Sequence, residues 1–354
     1  MDNNTVGRVQ WWKIALPILF GLGFVAWMIA RDFDPAIFDT IHFTWRALLF
    51  VFVAFLFMVG RDLGYIIRIR LFSRGELSWR QAFRIIMLWE FTSAVTPSAI
   101  GGTSVAVVFV HKEGIPVGKS AAIVMLTSFF DELYFAIIFP IIFFVVGGDR
   151  LFEGNMGHQL MLFATIGYGL KLAYLLLLSY GLFLNPLGLK WLIVKVFSLP
   201  GLRRWRPGAV KAGTDIVRSA IEIRRYRPMF WIKSFAATFL SWSSRYLVAN
   251  ALFMAFFSLS DHFLVFARQL AMWIMMLVAP TPGGSGFAEY IFSNFLSDVI
   301  PVGASIQVGA AAVIALLWRL VTYYPYLIMG AFILPKWLRT SFGKRQDDRH
   351  LSQK

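Results

Sequence analysis

The chain has 354 residues and a formal net charge of +15, with 58% hydrophobic and only 15% charged residues. Soluble domains carry about 45–50% apolar and about 25% charged residues, so an ordinary soluble domain is excluded. There is no cysteine, which excludes disulfides, thiol chemistry and a thiolate metal site.

The apolar residues fall in blocks at 13–30, 43–60, 117–146, 160–184, 231–259 and 306–334. Each is near or above the roughly 20 residues needed to cross a hydrocarbon core of about 30 Å. A backbone in lipid must satisfy its own hydrogen bonds, so the blocks read as six full transmembrane helices of an all-α membrane protein. The first block lacks a small-residue cleavage site, since Met28 and Ala30 fit that rule poorly, and reads as a retained span.

Basic residues cluster in alternate connections. Arg61, Arg68, Arg70, Arg74, Arg80 and Arg84 follow the second block; a second cluster fills the loop 185–230, and a third ends the chain with Lys336, Arg339, Lys344, Arg345 and Arg349. Asp32, Asp34, Asp39, Asp149, Glu153, Asp261 and Asp298 mark the other side, where only Arg31 and Arg150 break the pattern. The positive-inside rule then puts both termini and the loop 185–230 in the cytoplasm of a cell-membrane protein. It also accounts for the excess charge without nucleic acid. Within that loop, Lys211, Asp215, Arg218, Glu222 and Arg225 recur at helical spacing, with Ile216, Val217, Ala220 and Ile221 opposite. This predicts an amphipathic helix on the inner leaflet, attracted to anionic lipid.

Two further apolar stretches are interrupted. The first, 85–110, contains Thr96, Pro97, Gly101 and Gly102; the second, 263–296, contains Pro280, Pro282, Gly283, Gly284 and Gly286. Proline lacks a backbone donor and glycine accepts any φ, so neither break reads as continuous helix. The first arm, 85–97, rises only about 20 Å against a core of about 30 Å. Short arms predict re-entrant helical hairpins; two short helices crossing fully with tight outer turns is the alternative. Both return the chain to the same side, so loop charge does not separate them. Span, hairpin and charged span occur twice, about 43–146 and about 231–334, in opposite orientation. That pattern predicts one integral membrane domain built as an inverted-topology repeat with its site near the midplane.

Ionisable residues stand inside the apolar stretches: Arg46, Glu90, Asp131, Glu132, Lys171, Arg245, Arg268, Glu289 and Arg319. Each costs roughly 2.5–3.5 kcal/mol at a helix centre, so they must pair, line a wet cavity or sit near the interface. Arg46 and Lys171 are placed to snorkel. Glu90, Asp131, Glu132, Arg245, Glu289 and Arg319 are candidate site residues. Half-helices starting after Gly102 and Gly286 would add positive dipole ends suited to phosphate or carboxylate.

Enzyme chemistry is not expected. Gly283-Gly284-Ser285-Gly286 resembles the G-x-S-G nucleophile motif of rhomboid intramembrane proteases, but the only later histidine is His350 in the tail. There is no G-x-x-x-x-G-K-[ST], and His42, His111, His158, His262 and His350 never form HExxH, so neither ATP nor a catalytic metal is expected and no cofactor is implied.

The P-x-P-G-G-x-G run at 280–286, the L-L-W-R-L-V-T-Y-Y-P run at 316–325 and the first-half P-x-x-x-G-G at 97–102 resemble the flippase-like transmembrane domain of lysylphosphatidylglycerol synthases. The resemblance covers nearly the whole chain and is carried by Pro97, Gly101, Gly102, Pro282, Gly283, Gly284, Gly286 and Arg319. Thr103 stands where the family usually has an acid, and Asp131-Glu132 where it often has a Glu-Arg pair. The resemblance implies translocation of a modified lipid. Only residues 335–354 follow the last apolar block, so no aminoacyl-transferase domain is expected there and the chain should move lipid without making it. The expected function is a flippase or scramblase for an anionic or phosphate-bearing (glyco)lipid. Two alternatives are a proton-coupled carrier of a small organic anion and a non-transporting partner of an envelope-lipid synthesis enzyme.

Overall fold

The computed structural model describes residues 44–351 apart from 97, 154–156, 200, 260, 279–280, 282 and 302. The first apolar block, 13–30, and Pro97, Pro280 and Pro282 therefore lie outside the described residues. Among the described residues every regular element is helical.

Helix α1 (Trp45–Phe72) starts where the Thr44 hydroxyl accepts from the Ala47 N–H. It does not stop at residue 60. Tyr65, Ile66, Ile69 and Phe72 continue its buried face, so Arg61 and Arg68 are interior helix residues rather than members of a basic loop. Helix α2 (Trp79–Val95) begins on a reciprocal cap between Ser78 and Gln81, which likewise takes Arg80 and Arg84 out of the loop. It packs against α3 (Ser98–Lys112). At 17 and 15 residues these arms rise about 25 and 22 Å.

Helix α4 (Val117–Val146) is followed by α5 (Gly157–Ser179), which closes in a π-helical turn at Tyr180–Leu184. The basic region 185–230 folds as two helices, α6 (Pro186–Val196) and α7 (Arg206–Arg224). The apolar stripe of α7, including Ile216 and Ala220, is buried against protein, with Gly118 of α4 set close to Ala212 and Asp215. That face is thus covered by the chain itself, whereas Ile221 stays exposed.

The second half repeats the element order: α8 (Pro228–Phe256), a broken pair α9 (His262–Met275) and α10 (Phe287–Phe295), then α11 (Ala304–Thr322). Helix α12 (Tyr324–Leu351) follows after a kink at Tyr323. Among the described residues, four helical stretches are long and apolar enough to cross a membrane: Trp45–Phe72, Val117–Val146, Gly157–Leu184 and Ile306–Leu338. The 231–259 block lies in α8, whose 29 residues rise about 43 Å but carry Lys233 and Arg245.

The most extensive packing joins α1 to α8, the leading helices of the two halves. Gly64 permits it: a Cβ there would lie 2.3 Å from Ser241 Oγ and 2.6 Å from the Ala237 carbonyl oxygen. Small residues let helix backbones approach where lipid supplies no hydrophobic drive. Ser241 also donates to the Arg61 carbonyl at 3.0 Å, tying the seam to the first buried arginine.

Candidate functional site

The two interrupted segments meet. Tyr323 donates its hydroxyl proton to the Ala94 carbonyl at 3.0 Å, and a Cβ on Gly283 would lie 2.8 Å from that same oxygen. Positive φ at Gly283, Gly284 and Gly286 (57°, 68° and 80°) turns the second segment tightly enough to reach the end of α2.

Around this junction lies a cavity of about 600 Å³. Glu90, Thr96, Asp131, Glu132, Arg245, Gly283, Gly284 and Arg319 all line it. Thr96 caps the end of α2 and turns its hydroxyl back to the Thr92 carbonyl. Helix α3 already starts at Ser98, so Gly101 and Gly102 sit inside its first turns rather than ahead of it, and Gly102 does not line the cavity. Gly102 is buried against Ser93, and Thr103 and Ser104 face the cavity instead. Pro97 and Pro282 fall outside the described residues.

The charges are mostly paired. Arg61 is 1% exposed and meets Glu90 at 2.6 Å and Asp62 at 2.7 Å, while Tyr326 donates to Asp62 at 2.8 Å. Arg68 reaches both oxygens of Asp131 at 2.6 and 3.1 Å, and Trp242 donates its indole proton to Asp131 at 2.7 Å. Lys171 holds Glu132 at 3.1 Å from the interior, which replaces the expected snorkelling. The adjacent acids Asp131 and Glu132 thus serve different partners, as side chains about 100° apart on a helix must. Arg268, fully buried, pairs with Asp298 and donates to the carbonyls of Leu151, Phe295 and Arg150, a structural clamp outside the cavity. Arg46 donates to the Phe257 carbonyl at 3.1 Å.

Arg319 and Glu289 change the expected chemistry of the second tip. Arg319 meets the two Glu289 oxygens at 2.9 and 3.2 Å and donates twice to the Gly283 carbonyl. Glu289 also accepts from the Gly286 N–H at 2.8 Å. The first turn of α10 is therefore capped by its own carboxylate, and Arg319 is spent on that carboxylate and on the turn. Neither is the open anion seat expected from the sequence. Gly286 and Glu289 are buried behind the cavity wall.

Arg245 is the exception. It is 9% exposed, its guanidinium lies 3.8 Å from the Trp273 ring centre, and it makes no ion pair or hydrogen bond among the described residues. The sequence hid Arg61, Arg68 and Asp62 as site residues because they follow a fall in hydropathy. Their signal was spacing: Arg61, Tyr65 and Arg68 share one helix face at i, i+4 and i+7. A separate apolar groove between α1, α4 and α8, about 860 Å³, has only Ser243 and Ser244 as polar lining and no ionisable side chain.

The family model described as the lysylphosphatidylglycerol synthase TM region matches residues 14–330. A UPF0104 membrane protein from Archaeoglobus fulgidus is 28% identical over 314 residues, covering 84% of this chain and 90% of that protein. No solved structure matches. The match spans both interrupted segments, the kink and the buried charges between them, and the chain belongs to the lysylphosphatidylglycerol synthase transmembrane-region family as a multi-pass helical membrane protein.

Proposed function

We propose that this protein moves a phosphate-bearing lipid between the leaflets of the cell membrane, as a flippase or scramblase, without chemistry of its own. In this reading α2–α3 and α9–α10 are re-entrant hairpins entering from opposite sides, and six full spans surround them, the 13–30 block among them. Both termini lie in the cytoplasm, and the basic face of α7 meets anionic inner-leaflet lipid. The headgroup occupies the cavity while the acyl chains remain in the bilayer, and the two halves rock about the α1–α8 seam to alternate access.

The observation that carries the proposal is Arg245, a nearly buried guanidinium that makes no ion pair or hydrogen bond among the described residues, in an otherwise paired cavity. A lone buried charge is costly, and a ligand that pairs with it offsets the cost. A proton-coupled carrier of a small organic anion needs a carboxylate free to bind and release protons. Glu90, Asp131, Glu132 and Glu289 are each bonded to a cation, which favours the lipid reading.

The test is reconstitution. Liposomes with purified protein should lose the fluorescence of a labelled phospholipid faster than empty liposomes when a membrane-impermeant quencher is added. Equal rates would contradict the proposal, and co-purification of an envelope-lipid enzyme without flux would favour a non-transporting role.

A further inference from the structure

We infer that the cavity opens sideways into the bilayer through a window framed by α3, α4, α5 and the turn after α9. A lipid lies across this window with its headgroup inside and its acyl tails outside. The inference rests on the lipid-transport proposal for the same cavity and adds the path by which the lipid enters.

The frame follows from which elements pack together. Helix α3 packs on α4, α4 on α5, and α5 on α9. The tight helical turn Met276–Val278, which continues α9, comes back to α3 and completes a ring. Each member of the ring lines the cavity: α3 through Ser104, α4 through Ser128 and Glu132, α5 through Leu170 and Tyr174, and the turn through Met276. Exposure then locates the opening. Of the described residues lining the cavity, Ser104, Leu170 and Tyr174 alone are exposed, the last two at 49% and 39%. All three belong to this ring, on the two helices that flank α4.

Height and polarity say what passes. Glu132 stands at the middle of α4 and Leu170 at the middle of the apolar stretch Gly157–Leu184. An opening at that height looks onto acyl chains rather than water. Across the window the polarity runs in the order of an amphiphile. Leu170 forms an apolar outer rim, Tyr174 reaches Ser128 at the threshold, and Lys171 meets Glu132 at 3.1 Å immediately inside. A cavity of about 600 Å³ has the size that encloses a drug-sized molecule, room for a headgroup but not for two long acyl chains as well. A soluble anion enters from water and has no use for a window onto hydrocarbon. A tailed lipid needs one, because its tails stay in the apolar phase while its charge finds partners inside.

The absence of cysteine supplies the test. Thr96→Cys places one thiol in the cavity, on a residue outside the window frame. The purified full-length variant is reconstituted in phosphatidylcholine vesicles containing a phosphatidylethanolamine whose headgroup carries a maleimide, and the protein–lipid adduct is followed by mass spectrometry. The adduct should form in Thr96→Cys. It should form about tenfold more slowly when Ser104→Trp, or separately Leu170→Trp, narrows the window, a modest steric barrier on the scale of rates. Leu162→Trp, on an exposed part of α5 that does not line the cavity, should leave the rate unchanged. N-ethylmaleimide in detergent should react with every variant alike, which keeps thiol reactivity out of the comparison. No adduct in vesicles despite that reaction would overturn the inference, as would a rate that neither window substitution lowers or that Leu162→Trp lowers equally. An adduct blocked at the window without flux in liposomes would leave the window standing and remove the transport proposal. Flux with an adduct rate indifferent to both window substitutions would do the reverse.

Discussion

Arg319 and Glu289 form a two-point pair, 30 residues apart in sequence, at 2.9 and 3.2 Å. Glu289 is simultaneously the N-terminal cap of α10, and Arg319 simultaneously holds the Gly283 carbonyl. One buried pair therefore fixes the second tip to α11, where Tyr323 fixes it in turn to Ala94 of α2. Arg319, one of the arginines expected from the sequence to hold the ligand, is a brace for the site.

Breaking that brace should cost stability. Arg319→Gln leaves the Glu289 charge buried and is expected to destabilise the protein by about 3–5 kcal/mol, seen as a lowered thermal midpoint in detergent. Arg319→Met with Glu289→Leu should recover much of that loss, because no uncompensated charge remains. A double-mutant cycle in which the two single losses simply add would contradict the pairing.

Arg245 should behave in the opposite way. With no carboxylate partner to strand, Arg245→Gln is expected to leave the thermal midpoint unchanged or raised. Flux in the quencher assay should nevertheless fall about tenfold or more, the loss expected for a charge-assisted contact to the moving headgroup. Comparing midpoint and flux for Arg245→Gln and Arg319→Gln side by side separates a ligand contact from a structural one.

The α1–α8 seam gives a graded steric test. A methyl group at Gly64 meets a backbone oxygen at 2.6 Å, which cannot rotate away, so Gly64→Ala should destabilise by about 1–3 kcal/mol. At Gly60 the nearest atom is the Ser244 hydroxyl oxygen at 3.2 Å, a side chain able to turn, and Gly60→Ala should cost clearly less. Thermal midpoints measured together check the order.

Much of this arrangement was legible in the sequence. Proline and glycine inside apolar stretches marked both broken segments, and unaffordable charges marked Glu90, Asp131, Glu132, Arg245, Glu289 and Arg319. Other features were hidden for physical reasons. Block hydropathy ended the second apolar block at residue 60, although the helical period of Tyr65, Ile66, Ile69 and Phe72 carries α1 onward and draws Arg61 and Arg68 inside. Partners such as Arg68 and Asp131 are 63 residues apart, so composition registered the charges without revealing which were neutralised. That is why Arg245 and Arg319 looked alike in sequence and differ so plainly in space.

The two interrupted segments reach one shared chamber, Thr96 from the first and Thr281 from the second. Because the chain has no cysteine, Thr96→Cys and Thr281→Cys, one on each segment and both lining the cavity, can be spin-labelled together without removing native thiols. Electron paramagnetic resonance of the doubly labelled protein in liposomes should show strong dipolar broadening, as for neighbours across a small cavity. A separation approaching the hydrocarbon thickness of about 30 Å would place the segments at opposite surfaces and contradict the shared chamber.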